Sequence, residues 1–158
     1  MVHPLAGDHC GVLIGDAFQK GLMKDQSDEL ARNAYNAMRK NALDIPSGEE
    51  YLEGKGRRAI KEYLTAGFVP LEATMPLTFH SREQVIERDL MSALSVLLRS
   101  KIVCFVVLCV KVSRTMEYAY NDYVVAQLAK QLGYQSDYEQ LLQHSESYKM
   151  VIDDKGMQ

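Results

Sequence analysis

Two short stretches carry the residue types that could do chemistry. The first, GDHCG at residues 7–11, sets a carboxylate beside an imidazole at what reads as the start of a helix. A carboxylate at Asp8 accepting hydroxyl protons, next to a donating His9, would make a sugar- or anion-binding corner. The local sequence favours a plainer reading, in which Asp8 caps the helix and His9 lies on the surface. The second stretch, SRTMEYAYNDY at residues 113–123, is denser. Arg114, Glu117 and Asn121 follow at i, i+3 and i+7 and share a helical face, while Tyr118 and Asp122 share a neighbouring one. Read alone, these residues form an exposed face with a weak Arg–Glu pair. Read with the interleaved Met116, Tyr118, Ala119 and Tyr120, they lie on a helix buried around much of its circumference, as a satisfied polar network or a polar pocket. The two readings stand level.

Several chemistries find no support. There is no GxSxG, P-loop, GxGxxG or HExxH pattern. The four histidines (His3, His9, His80 and His144) are too far apart in sequence for a zinc-type ligand set. No carboxylate pair can be named as acid and base from spacing. A net charge of −3, from 18 basic and 21 acidic residues, gives no general attraction to nucleic acid or to anionic membranes. Three cysteines without a CxxC pair do not suggest a disulfide framework. The opening MVHPLAGDHCG lacks the basic region and apolar core of a signal peptide, so the compartment stays open.

The elements that must position these residues read as helices. At 158 residues, 47% hydrophobic and 25% charged, the chain has the totals of one globular domain. Residues 8–22 suit a helix in which Gly11 and Gly15, four apart, let another backbone or a ligand approach closely, and Gly21 suits its stop. Residues 27–42 make a second helix, capped by Ser27 and striped by Leu30, Ala34, Ala37, Met38 and Ala42. Residues 43–56 read as loop, and RRAIKEYLTA as a short helix ended by Gly67 and Pro70. The strongest helix spans residues 113–132, with Met116, Tyr120, Tyr123, Val124 and Leu128 at helical spacing and Gly133 as its stop. Ser136 and Glu139 read as the capping box of the helix after it. Short connections make these helices antiparallel hairpins, and the fold class is all-α.

One segment does not fit. IVCFVVLCV, residues 102–110, is the most apolar run in the chain. It is too short for a membrane span, which needs about 20 apolar residues. A buried strand or a helical core segment is physically possible.

Taken together, five segments resemble glycoside hydrolase family 92, the calcium-dependent exo-acting α-mannosidases. HPLAGDHCGVLIGDAFQKG is similar to that family's GDHA…IADAYxKGI segment, and AYNAMRKNA to its AYEAMRKNA helix. RRAIKEYLTAGFVP resembles the family's short helix leading into GYVP or GYIP. VSRTMEYAYNDYVVAQLAKQLG resembles VSRTLEYAYDDxxxAQLAKALG, and DYEQLLQHSESYKMVID resembles DYxxLLxRSxNYKNVFD. The resemblance implies the early helices of an (α/α)6-barrel catalytic domain, with an N-terminal β-sandwich and later barrel helices outside this chain. It implies removal of terminal mannose from α-mannosides or N-glycans with inversion, and calcium as cofactor. Inversion needs an acid and a base roughly 6.5–9.5 Å apart. In the family these lie in EGNAWQY-like and GNDD-like segments, and neither occurs here. No catalytic residue is therefore expected in this chain, which by itself should be inactive, and the main calcium ligands are also expected elsewhere. Pocket-lining roles carry over to Asp8, His9, Arg114, Glu117 and Asp122. Asn121 stands where the family often has Asp.

The same comparison brackets the apolar run. Removing residues 86–112 joins EQV to SRT and restores EQVSRTMEYA, which resembles the family's uninterrupted EQVSRTLEYA. The expectation is a non-family insertion at about 86–112, such as a retained intron. Two rivals from other classes are a helical-repeat interaction module, suggested by LAKQLGYQSDYEQLL but lacking a second copy, and a membrane-tethered helical protein.

Overall fold

A computed structural model of the protein describes residues 9–22, 28–52, 55–70 and 101–152. Among these residues the structure is helical and contains no strand. The helices are α1 (His9–Gln19), α2 (Asp28–Leu43), α3 (Gly48–Leu52), α4 (Ile60–Ala66), α5 (Lys101–Gln131) and α6 (Gln135–His144), followed by a 3₁₀ helix (Ser145–Met150). The all-α expectation holds. The caps expected at Asp8 and Ser27, and residues 71–100 of the irregular segment and insertion, lie outside the described residues.

The 31-residue helix α5 is the axis on which α1, α2, α6 and the 3₁₀ helix pack. It begins twelve residues before Ser113, the start expected from the pattern, so the backbone of the apolar run is helical. The run is therefore not a strand. No helix among the described residues is long and apolar enough to cross a membrane.

Three contacts along one seam set the direction of α1. His9 lies 3.9 Å from Glu117, a side chain at Gly15 would overlap Val124 Cγ1, and Gln131 Nε2 donates to Gln19 Oε1 at 2.8 Å. Both numberings rise together, so α1 runs parallel to α5. The close approach expected of Gly15 is present, and Met38 of α2 reaches the same point. Around it lies the main core: Tyr35, Met38, Ala42, Val125, Ala126, Leu128, Ala129 and Leu141, with Ile14 and Phe18 of α1 against it.

Helix α6 turns back on α5 through Gly133, whose φ of 81° is one that an L side chain rarely adopts. Asp137 of α6 ties this hairpin to α2. Its Oδ2 accepts from Tyr35 Oη at 2.5 Å and from Arg39 Nε at 2.6 Å, while the Tyr35 and Tyr134 rings stack 4.8 Å apart. The Arg39 guanidinium holds the Asp137 carboxyl below its ordinary range.

Local chemistry departs from the sequence expectations in three places. Residues 43–56 are not all loop: Ser47 and Glu50 form a reciprocal capping box and open α3. Helix α6 starts at Gln135, preceded by Tyr134 without a side-chain cap, so Ser136 is inside the first turn and not its cap. Helix α4 starts at Ile60, three residues after Arg57, because Ala59 takes a left-handed conformation (φ 52°). A non-glycine residue there costs about 1 kcal/mol. The kink is held by the burial of Ala59 with Ile60, Tyr63, Val69 and Tyr118, and it frees Arg57 to turn toward α5.

Candidate functional site

The polar residues of α5 divide between two environments. The first is a fully enclosed network centred on Asp122, which has 0% exposure. Arg57 Nη1 donates to Asp122 Oδ1 at 2.5 Å, and Tyr63 Oη donates to Oδ2 at 3.0 Å. The same tyrosine hydroxyl lies 3.1 Å from the His144 carbonyl oxygen and is hydrogen-bonded by Ser147. The Arg57 guanidinium stacks 4.9 Å over the Tyr118 ring, and Tyr118 Oη donates to the Arg58 carbonyl. Thr115 adds a further tie by accepting the Val69 N–H at 2.9 Å. One carboxylate thus joins the turn before α4, α4 itself, α5 and the entry to the 3₁₀ helix.

The electrostatics follow from enclosure. Burial pushes the Asp122 carboxyl up, and the Arg57 guanidinium and Tyr63 hydroxyl pull against that shift. Burial, reinforced by the Asp122 charge, pushes the Tyr63 hydroxyl far above its ordinary range. Burial lowers the His144 imidazole; Asp122 opposes that effect and Arg57 adds to it.

The second environment is the α1–α5 seam. Glu117, half-buried, faces the exposed His9 from the first turn of α1. Asn121, one turn further along α5, is 2% exposed, and neither its amide nitrogen nor its amide oxygen has a hydrogen-bond partner. Arg114 is buried on the turn before Glu117.

The structure therefore brings His9 and Glu117 together, adds Arg114 and Asn121 along the same helix, and sets Asp122 apart in an ion pair. Asp8 lies outside the described residues. The expected apolar positions Met116, Tyr120 and Tyr123 are exposed, which reverses the face assigned to this part of α5. The buried face here carries Arg114, Thr115, Tyr118, Asn121 and Asp122, and becomes apolar from Val125 onward. Of the two readings of SRTMEYAYNDY, the buried one holds for Asp122: both its carboxylate oxygens are hydrogen-bonded, while Arg57 Nε and His144 Nδ1 beside it have no partner.

Arg57 and Tyr63 were not anticipated as partners of Asp122, nor the His144 carbonyl and Ser147 as partners of the Tyr63 hydroxyl. The available signal was the charge of Arg57 just before a helix and the buried character of Asp122's face; nothing local links positions 57 and 122. Among the described residues, no three His, Cys, Asp or Glu side chains stand together as metal ligands. The carboxylate of Asp122 is already committed to a guanidinium and a phenol. The described residues do not offer a ligand set that fits a calcium ion.

A model of the glycosyl hydrolase family 92 catalytic domain matches residues 3–157. No curated protein and no solved structure shows a match to the chain.

Proposed function

Because the chain belongs to glycosyl hydrolase family 92, we propose that it is part of the helical catalytic domain of an α-mannosidase, a glycosidase that removes terminal mannose from α-mannosides or N-glycans with inversion and with calcium. The observation that carries this reading is the family match through almost the whole length of the chain. The seam between α1 and α5 is consistent with it: His9 of α1 and Arg114 and Glu117 of α5 would line the edge of a sugar pocket. Asp122 serves the same pocket indirectly, by fixing α5 against the turn at Arg57.

In this proposal the acid and base come from EGNAWQY- and GNDD-like segments, neither of which occurs in residues 1–158. The purified chain should release no mannose from an aryl α-mannoside, with or without calcium. Calcium-dependent release at a measurable rate would overturn the assigned inactivity. Genomic sequence downstream that lacked both motifs would remove the support for the parent activity. Residues 86–112 are, in the same proposal, an insertion foreign to the family. Transcripts that consistently carry those 27 codons in the mature message would refute their origin as a retained intron.

A further inference from the structure

His144 closes α6, leads into the 3₁₀ helix and meets one tyrosine twice. Its carbonyl oxygen accepts from Tyr63 Oη at 3.1 Å, and its ring stands edge-on to the Tyr63 ring with 6.3 Å between centroids. The ring nitrogen Nδ1 is enclosed and has no hydrogen-bond partner among the described residues. The titratable groups packed around the ring are Asp122 of α5, Arg57 of the turn before α4 and Tyr63 of α4. Tyr118 of α5 lies behind Tyr63 and beneath the Arg57 guanidinium. Glu146 and Lys149 of the 3₁₀ helix pair with each other at 2.9 Å on the surface. Asp122 and Arg57 already cancel, so a proton on His144 adds a positive charge without a counter-ion, and its Nδ1–H finds no acceptor.

The 3₁₀ helix is the element least able to resist that change. Ser147 is the one buried residue among Ser145–Met150, and its hydrogen bond goes to the same Tyr63 hydroxyl. An element held by so little buried surface opens at less than the free energy of global unfolding. We propose that His144 is an acid-sensitive latch: the neutral imidazole holds the 3₁₀ helix on Tyr63, and its protonation releases that helix while α5 and α6 stay paired. The imidazolium swings to water and uncovers the Tyr63 hydroxyl, whose two ties to this segment then meet competition from solvent. Burial, the main cause of the lowered imidazole pKa, gives the same sign. The latch is closed above 6.5, the ordinary value, and is lost as pH falls from there through the lowered one. The latch does not depend on the mannosidase reading.

Amide hydrogen exchange of the full 158-residue chain, read by NMR, tests it. The probe is the Val151 N–H, bonded to the Tyr148 carbonyl; the references are Tyr138, in α6, and Leu132, at the end of α5. Corrected for the intrinsic effect of pH on exchange, protection of Val151 should fall by up to about tenfold per pH unit below 6.5 while both references hold. His144→Gln, which cannot take the proton, should make Val151 protection independent of pH. The native chain alone decides the matter should that variant fold poorly. Constant Val151 protection would mean that the ring swings out without the backbone and would overturn the latch. A parallel loss at Leu132, a loss that survives in His144→Gln, or no protection of Val151 above 6.5 overturns it equally.

Discussion

Arg57 and Asp122, 65 positions apart in sequence, form an ion pair with Nη1 and Oδ1 2.5 Å apart and side chains 3% and 0% exposed. Neither partner can be removed without leaving a charge in a dry interior. Arg57→Ala or Asp122→Ala should each destabilise the chain by about 3–5 kcal/mol. Replacing both together, as Arg57→Met with Asp122→Leu, should recover much of that loss. Urea unfolding of the four proteins tests the coupling; additive single effects would show that the pair is not acting as a unit.

Acidification should unfasten two places in order. His144 has a folded-state imidazole pKa below its ordinary value of 6.5, so the unfolded chain binds the proton more readily. Its contribution is present above 6.5 and is lost as pH falls through the lowered value. The Asp137 carboxyl, held below 3.8 by Arg39, behaves in the same sense at lower pH. Stability measured against pH should fall first near the histidine range. His144→Gln should flatten that first loss and leave the second, whereas an unchanged first loss would show that another group titrates there.

Gly15 should resist even alanine. Its added Cβ would overlap Val124 Cγ1, and the β-branched valine has little freedom to turn away. Overpacking of about 1–3 kcal/mol outweighs the gain in helix propensity of about 1 kcal/mol. Thermal unfolding should show Gly15→Ala destabilising in the native background and neutral or stabilising beside Val124→Ala. Equal effects in both backgrounds would mean that α1 does not approach α5 at this point.

Deleting residues 86–112 tests the proposed insertion. The shortened chain should keep a cooperative unfolding transition, because Gln84 would then stand four residues before Thr115, in the place of Lys111, whose carbonyl accepts the Thr115 hydroxyl at 3.1 Å. Circular dichroism on heating checks this. Loss of the transition would mean that the apolar turns of α5 are part of the fold.

Local hydrogen bonding made much of this protein readable from sequence. The helices around residues 9–19, 28–43, 60–66 and 135–144 follow from apolar spacing, and Gly21 and Gly133 stop their helices with φ of 69° and 81°. The close approach at Gly15 was visible as a pair of glycines on one face. The buried face of α5 was not, because Met116, Tyr120 and Tyr123 have the periodicity of a core stripe while Arg114 and Asp122 look like surface residues. Only the tertiary structure decides between these faces, since a guanidinium arriving from Arg57 and a phenol from Tyr63 make it possible to enclose Asp122. The parallel course of α1 and α5 has the same origin. A helix can be inferred from neighbours within a few residues, but its partner depends on chain closures of more than a hundred, and on which polar groups find each other when the loops are closed.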